Sequence, residues 1–377
     1  MRARSSRYAV LVALSTAVGV GRTDDAPAPV ALREAPVAQA AVAAAGVAAE
    51  PVSLSPAYQP YLTFEGGVNF LKRRDPHRGG LIGQVVNLDT DEVARSLTTN
   101  TIDYRFEAAP DLTLRIYRSE CSSFSLRYFG TDSMEAEKSL LTQDVDPIGT
   151  RTPVSPFGFV LEKGAEAGGI EARANSYFHS VQAGWTNILS DDECRTVSSY
   201  VGFRYIYFRD ALAVERAGSV DNEEYGWAGT NNLIGLETGL DVARHYGFIT
   251  LGAKGKIGGY LNEARLKGAY SIKIGTQPGF APTSVETPRD EFSGFSGVVD
   301  LGLYARVTAN QHFALRFGYD FLLMTNLVLG TDNMQPTLIT VTPVPGGLPV
   351  VTPGSVDAHG NSTMWLHGLS VLMEVTW

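Results

Sequence analysis

The chain has 377 residues, with 40 Asp and Glu against 31 Lys and Arg and a formal charge of −9, a balance that argues against nucleic-acid binding, which needs a basic surface. Mean hydropathy is −0.03 and no apolar run reaches the roughly eighteen residues of a helical membrane span, so bilayer-crossing helices are excluded. A β-barrel escapes that test, because lumen side chains dilute its lipid-facing ones one to one and its signal lies in alternation.

Met1 to Gly21 reads as a secretory signal peptide: Arg2, Arg4 and Arg7 precede the apolar run Tyr8 to Val20, which is too short and too rich in small residues for a stable span. Its cleavage site is unmarked, since Val18 to Arg22 holds no clean small-x-small pattern, and Ala38-Gln39-Ala40, which fits one, lies far from the apolar run. Residues 22–60 are rich in Ala, Pro and Val, with no aromatic before Tyr58, and are predicted to form a periplasmic arm. The absence of Cys near the signal argues against a lipid anchor.

Residues 61–377 are predicted to be all-β, an antiparallel transmembrane outer-membrane barrel of about ten strands, to within one hairpin. The alternating segments are Tyr61 to Lys72, Thr101 to Tyr117, Ser123 to Phe129, Ala174 to Ile188, Val197 to Arg209, Leu233 to Ala243, Phe248 to Leu261, Gly294 to Val307, His312 to Leu323 and the terminal strand. Short turns at Ser119 to Ser122, Leu189 to Arg195, Arg244 to Gly247 and Thr308 to Gln311 interleave with long segments at Arg73 to Asn100, Gly130 to Arg173, Asp210 to Asn232, Asn262 to Ser293 and Met324 to Gly360. Short periplasmic turns alternating with long outer loops are the barrel pattern. Pro110, which lacks a ladder donor, is read as a bulge or bend.

The terminal strand is the clearest. Trp365, His367, Leu369, Val371, Met373, Val375 and Trp377 fall on one face, so that an indole lies near each membrane interface. A lipid-facing Arg or Lys at mid-depth costs about 2–4 kcal/mol, so the charged faces must point inward. The collected lumen charges are Glu65, Asp103, Arg105, Glu107, Arg115, Arg127, Arg204, Glu237, Asp241, Lys254, Lys256, Asp300, Arg306, Arg316, Asp320 and Glu374, nearly balanced in sign. Buried in a small barrel, they must pair or be hydrated. The strongest expectation is Arg204, Arg306, Arg316 and Lys254 facing Glu65, Asp300, Asp320 and Glu374.

Asp103 to Gly130, Cys194 to Asp210, Thr230 to Asp241, Phe313 to Met324 and the terminal HGLSVLMEVTW together resemble the β-barrel porin families of diderm bacteria. The resemblance implies an outer-membrane location, contact with membrane lipids, a terminal aromatic recognised by the barrel-assembly machinery, and no catalytic residues to carry over.

Other chemistry is weighed against this. Cys121 and Cys194, the two cysteines, both fall in predicted periplasmic turns, where a disulfide and two unpaired thiols are balanced alternatives: two intervening strands, at about 4.8 Å spacing, leave about 10–15 Å between the turns unless they fold inward, against the roughly 4.4–6.8 Å that a bridge needs. The six histidines show no metal-ligand spacing, and neither metal nor cofactor is expected. Asp89-Thr90-Asp91 and Asp357-Ala358-His359, in the first and last outer loops, resemble the paired acids and His of the omptin proteases, a minor alternative against ordinary solvated turn formers. The sequence therefore points first to passive movement of small polar solutes or ions, with a non-conducting structural or surface-interaction barrel as the main alternative. Small inward residues Gly202, Gly252, Gly302 and Gly318 favour an opening, and Tyr117 and Tyr304 favour filling.

Overall fold

A computed structural model describes residues 61–74, 80–87, 92–141, 151–154, 169–217, 221–274, 283–334, 339–342 and 350–377. The predicted signal peptide, the arm and Asp89 to Asp91 lie outside them.

Ten long strands close on themselves: β1 (Leu62–Arg74), β4 (Glu107–Ser119), β5 (Ser122–Leu141), β7 (Gly169–Asp192), β8 (Arg195–Ala217), β9 (Asp221–Tyr246), β10 (Ile249–Ile274), β12 (Asp290–Asn310), β13 (Phe313–Leu327) and β16 (Ser362–Thr376). Every neighbouring pair is antiparallel, and β16 closes the ring on β1 through the register Thr63↔Thr376 to Arg74↔Trp365. Closure of the ring lets the backbone of the bilayer-crossing part pair from strand to strand. Outside the wall, β2 (Leu81–Asn87), β3 (Glu92–Thr98) and β6 (Arg151–Val154) make a small sheet. A short β11 (Thr283–Glu286) pairs with β10, and β14 (Ile339–Thr342) pairs with β15 (Val350–Pro353).

Each of the ten predicted segments meets one of these strands, although residues 101–106 of the second precede β4. Four hairpins at one end turn within two residues, at Glu120-Cys121, Glu193-Cys194, Gly247-Phe248 and Gln311-His312. Gly247 adopts φ +62 in its turn, a conformation a side chain would strain. Short turns assign this end to the periplasm.

Two expectations change. The predicted outer loops Asp210 to Asn232 and Asn262 to Ser293 are largely strand: β8 and β9 stay paired out to Ala217↔Asn222, and β10 runs on to Ile274. At 26 residues each, β9 and β10 far exceed the roughly 9–11 that cross a bilayer. The reason is a reversal of alternation. On β10 the outer face carries Leu251, Ile257 and Leu261 and then Glu263, Arg265 and Lys267, whereas the inner face carries Lys254 and Lys256 and then Tyr260, Ala264, Leu266 and Tyr270. Above Leu261 the strand leaves lipid for water, and its apolar side turns inward. Pro110 is not a bulge: β4 pairs with β1 straight through Val68↔Pro110, while pairing with β5 begins at Asp111, so the imide sits where one ladder stops.

Candidate functional site: the barrel lumen

The lipid-facing belt is largely apolar, with Leu112, Leu114, Phe203, Leu236, Leu301, Leu303, Phe317 and Val371 exposed. Trp377 and Tyr61 lie exposed at the periplasmic rim, and Trp365 packs on Phe321 with ring centroids 5.9 Å apart toward the other side. Beside it the Tyr319 hydroxyl meets His367 Nδ1 at 2.7 Å, an aromatic girdle with polar tips.

Inside, the predicted lumen charges meet one another. Arg306 makes a two-pronged contact with Glu374, 2.8 Å on each arm, and Lys254 Nζ lies 2.7 Å from Asp320. Arg316 reaches Glu65 at 3.5 Å and stacks on the Tyr304 ring at 4.0 Å; Arg115 holds the other Glu65 oxygen at 3.1 Å. Arg204 lies 3.3 Å from Asp300 and 3.6 Å from Glu237, and its Nε donates to Ser180 at 2.7 Å. Arg127 chelates Asp111 at 2.9 and 2.6 Å, with Asn69 as a further donor to that carboxylate at 3.0 Å. Asp111 escaped the sequence reading because its neighbour Pro110 was taken for a bend. Asp103 and Arg105 are not lumen groups: both are exposed in the segment before β4, outside the strand.

The inward glycines do not open the bore. A methyl group at Gly252 would sit 2.2 Å from the Tyr304 ring, and one at Gly202 would meet the Tyr200 hydroxyl at 2.0 Å; Gly235 and Gly258 flank Tyr260 in the same way. These four glycines are slots for neighbouring tyrosine rings, two of which are anchored by Tyr304 to Asp241 at 2.8 Å and Tyr260 to Glu237 at 3.0 Å, whereas Gly302 is covered by Lys254 and Gly318 by Ser370. Reading Gly as vacant space missed that its strand neighbour fills it.

Above the charges comes an apolar layer. Leu71, Phe178, Ile206, Tyr260, Leu322 and Leu366 are each at most 4% exposed and form one core with the residues higher up, including Trp227, Tyr225 and, from the small outer sheet, Ile82, Val85 and Leu97. Near the end of β13, Asn326 takes a left-handed φ of 56 at a break in register between Met324 and Leu327, and the chain then turns into the barrel. Val328 N–H donates to Asn231 Oδ1 and its carbonyl accepts from Asn231 Nδ2, both at 2.8 Å, on the far wall. Thr331 donates from backbone and hydroxyl to Asp210 Oδ2 at 3.0 and 3.1 Å. The other Asp210 oxygen is held by Arg73 and Ser176, and the Arg73 guanidinium lies 4.6 Å from the Tyr104 ring centre. Arg73 and Asp210 fell at the ends of the predicted strands, where the sequence reading began its loops.

The profile of the Putative beta barrel porin-7 (BBP7) family matches residues 157–377, more than half of the chain. The chain belongs to that family. The BBP7 match contains Arg204, Lys254, Asp300, Arg306, Arg316, Asp320 and Glu374, while Glu65 and Arg127 precede it. No curated protein matches the sequence. Among solved structures, this BBP7 barrel is similar to the outer-membrane protease OmpT of Escherichia coli (8% identity over 84% of this chain and 96% of that one, TM-score 0.46). It is also similar to a FadL homologue of Pseudomonas aeruginosa (9%, 83% and 90%, TM-score 0.28) and to the toluene transporter TodX of P. putida (8%, 87% and 92%, TM-score 0.25).

Cys121 and Cys194 of the BBP7 chain are free, exposed thiols in separate turns, and no bridge joins them, because β5 and β7 hold the turns apart. Asp357 and His359 contact each other at 3.5 Å and are both well exposed, as solvated loop residues are.

Proposed function

We propose that this outer-membrane barrel is closed to passive diffusion in its resting state and serves a structural or surface-interaction role through its extension beyond the outer leaflet. One observation carries the reading: Val328, Leu329, Thr331 and Asn333, at most 3% exposed, cross the bore above a continuous apolar layer. A hydrated ion reaching that layer would shed water with no polar partner to replace it, a cost of several kcal/mol per ion or more. The charges beneath form pairs and not a track. Membership of a porin family supports the competing reading, an open path for small polar solutes, and the two differ in a single measurement.

The purified, refolded barrel is expected to be silent in a planar bilayer. Stable openings of the wild-type protein, with ion selectivity reversed by Arg316→Glu, would overturn closure and restore passive diffusion.

A further inference from the structure

Beneath the apolar layer lies a chamber of about 240 Å³, many times the space that one water needs. Thr186, Ile188, Thr196 and Ser198 line it at the hairpin end, so it faces the periplasm. Its lining carries five cations, Arg115, Arg127, Lys254, Lys256 and Arg316, against three carboxylates, Glu65, Asp111 and Asp241.

Four of the cations are accounted for by close carboxylates: Glu65 for Arg115 and Arg316, Asp111 for Arg127, and Asp320, behind the wall of the chamber, for Lys254. Lys256 is different. Its side chain is 15% exposed, and its nearest carboxylate oxygen, on Glu237, is 4.0 Å away, beyond hydrogen-bond reach. Glu237 is already committed to Gln182, Tyr260 and Arg204. Asp241 accepts from Tyr304. The Asp300 carboxylate, opposite Lys256 across β10 and β12, also acts on the ammonium but is held by Arg204 at 3.3 Å, and the remaining contact is the face of Tyr200, 4.1 Å from Nζ to the ring centre. An ammonium has three donors, and a largely buried one without acceptors is costly.

We propose that the chamber binds a small divalent oxyanion from the periplasm, a phosphate or a short dicarboxylate, with Lys256 as its central contact and the guanidinium faces of Arg115, Arg127 and Arg316 supplying the surrounding field. The site rests on closure above it, since a blind chamber exchanges its contents from one side only. The Ser198 and Thr196 hydroxyls at the rim offer neutral donors on the way in.

The test is isothermal titration calorimetry on the refolded full-length barrel in phosphate-free detergent, with inorganic phosphate in one arm and succinate in the other; the arm that binds identifies the chemistry. One-to-one binding is expected. Lys256→Gln should weaken it about tenfold or more, the worth of one hydrogen bond to a charged group. Ser198→Asp, which adds a carboxylate at the rim, should abolish it, and Arg265→Gln, outside the barrel, should leave it unchanged. Each variant is first shown to be folded by its β-sheet circular dichroism and its heat-dependent shift on a gel. Absence of binding heat from folded wild-type protein in both arms, or binding that Lys256→Gln leaves intact, would overturn the proposal. Conductance would refute closure without touching this result, so the two failures are distinguishable.

Discussion

The two halves of the same ten strands follow opposite rules. Below Leu261 of β10 the barrel is built as membrane proteins are, with Leu236 and Leu303 facing out and Arg127, Lys254 and Asp320 facing in. Above it the wall resembles a water-soluble protein: Glu263, Arg265 and Lys267 face out, while Trp227, Tyr225 and Leu266 are buried. The difference teaches where each half draws its stability. The upper half has a hydrophobic core of its own, worth roughly 25 cal/mol per Å² of apolar surface removed from water. The lower half has no apolar interior, and its outward side chains gain that transfer only when lipid or detergent surrounds them.

The largest effects should therefore come from the upper core, and above all from the ion pair of Arg73 with Asp210. The side chains of Arg73 and Asp210 are both 0% exposed. Arg73→Ala leaves the buried Asp210 carboxylate with its Ser176 and Thr331 donors but no cation and is expected to cost about 3–5 kcal/mol in urea unfolding of the refolded barrel. Replacing both partners, with Arg73→Met and Asp210→Leu, should recover most of that loss. A single-variant cost under about 1 kcal/mol would mean that water reaches this pair, and the sealed mouth would be wrong.

Next in size is a contrast between two outward positions. Leu303→Arg places a charge in the lipid belt and should cost about 2–4 kcal/mol in vesicles. Ala269→Arg, which also points outward but from the upper part of β10, should stay within about 0.5 kcal/mol of wild type, as surface changes do. Equal costs would erase the boundary between the halves.

How much of this was legible in the sequence follows from the same boundary. In the lower half, period-two alternation with apolar residues outward places every strand, and charge cannot face lipid, so Arg204, Arg306, Arg316 and Lys254 could be assigned inward from sequence alone. Their partners follow from register, which alternation alone does not supply. In the upper half the rule reverses, and Leu212, Val214, Tyr225 and Trp227 look like loop residues when strands are sought by an apolar outer face. The signal was present as alternation continuing past Asp210 with its phase kept and its meaning inverted. Arg73 and Asp210 sit at that inversion, where neither rule applies cleanly. The covering of Gly252 by Tyr304 was hidden for another reason: it joins side chains on adjacent strands, so it exists only once Gly252↔Tyr304 are in register.

The smallest expected effect tests the hydration of the lower lumen. Arg306 and Glu374 have good two-pronged geometry at 2.8 Å, but their side chains are 32% and 13% exposed near the periplasmic end. A double-mutant cycle with Arg306→Gln and Glu374→Gln should give a coupling of about 1 kcal/mol or less, because each group regains water when its partner is lost. Raising ionic strength from about 0.01 M to about 1 M shortens the screening length from about 30 Å to about 3 Å, so this coupling should fall while that between Arg73 and Asp210 holds. If Arg306 and Glu374 instead couple as strongly as the buried pair and ignore salt, the lower lumen is dry. A dry lower lumen would leave no aqueous route from the periplasm to Lys256, and the half of the barrel built on paired charges would then be a second sealed core.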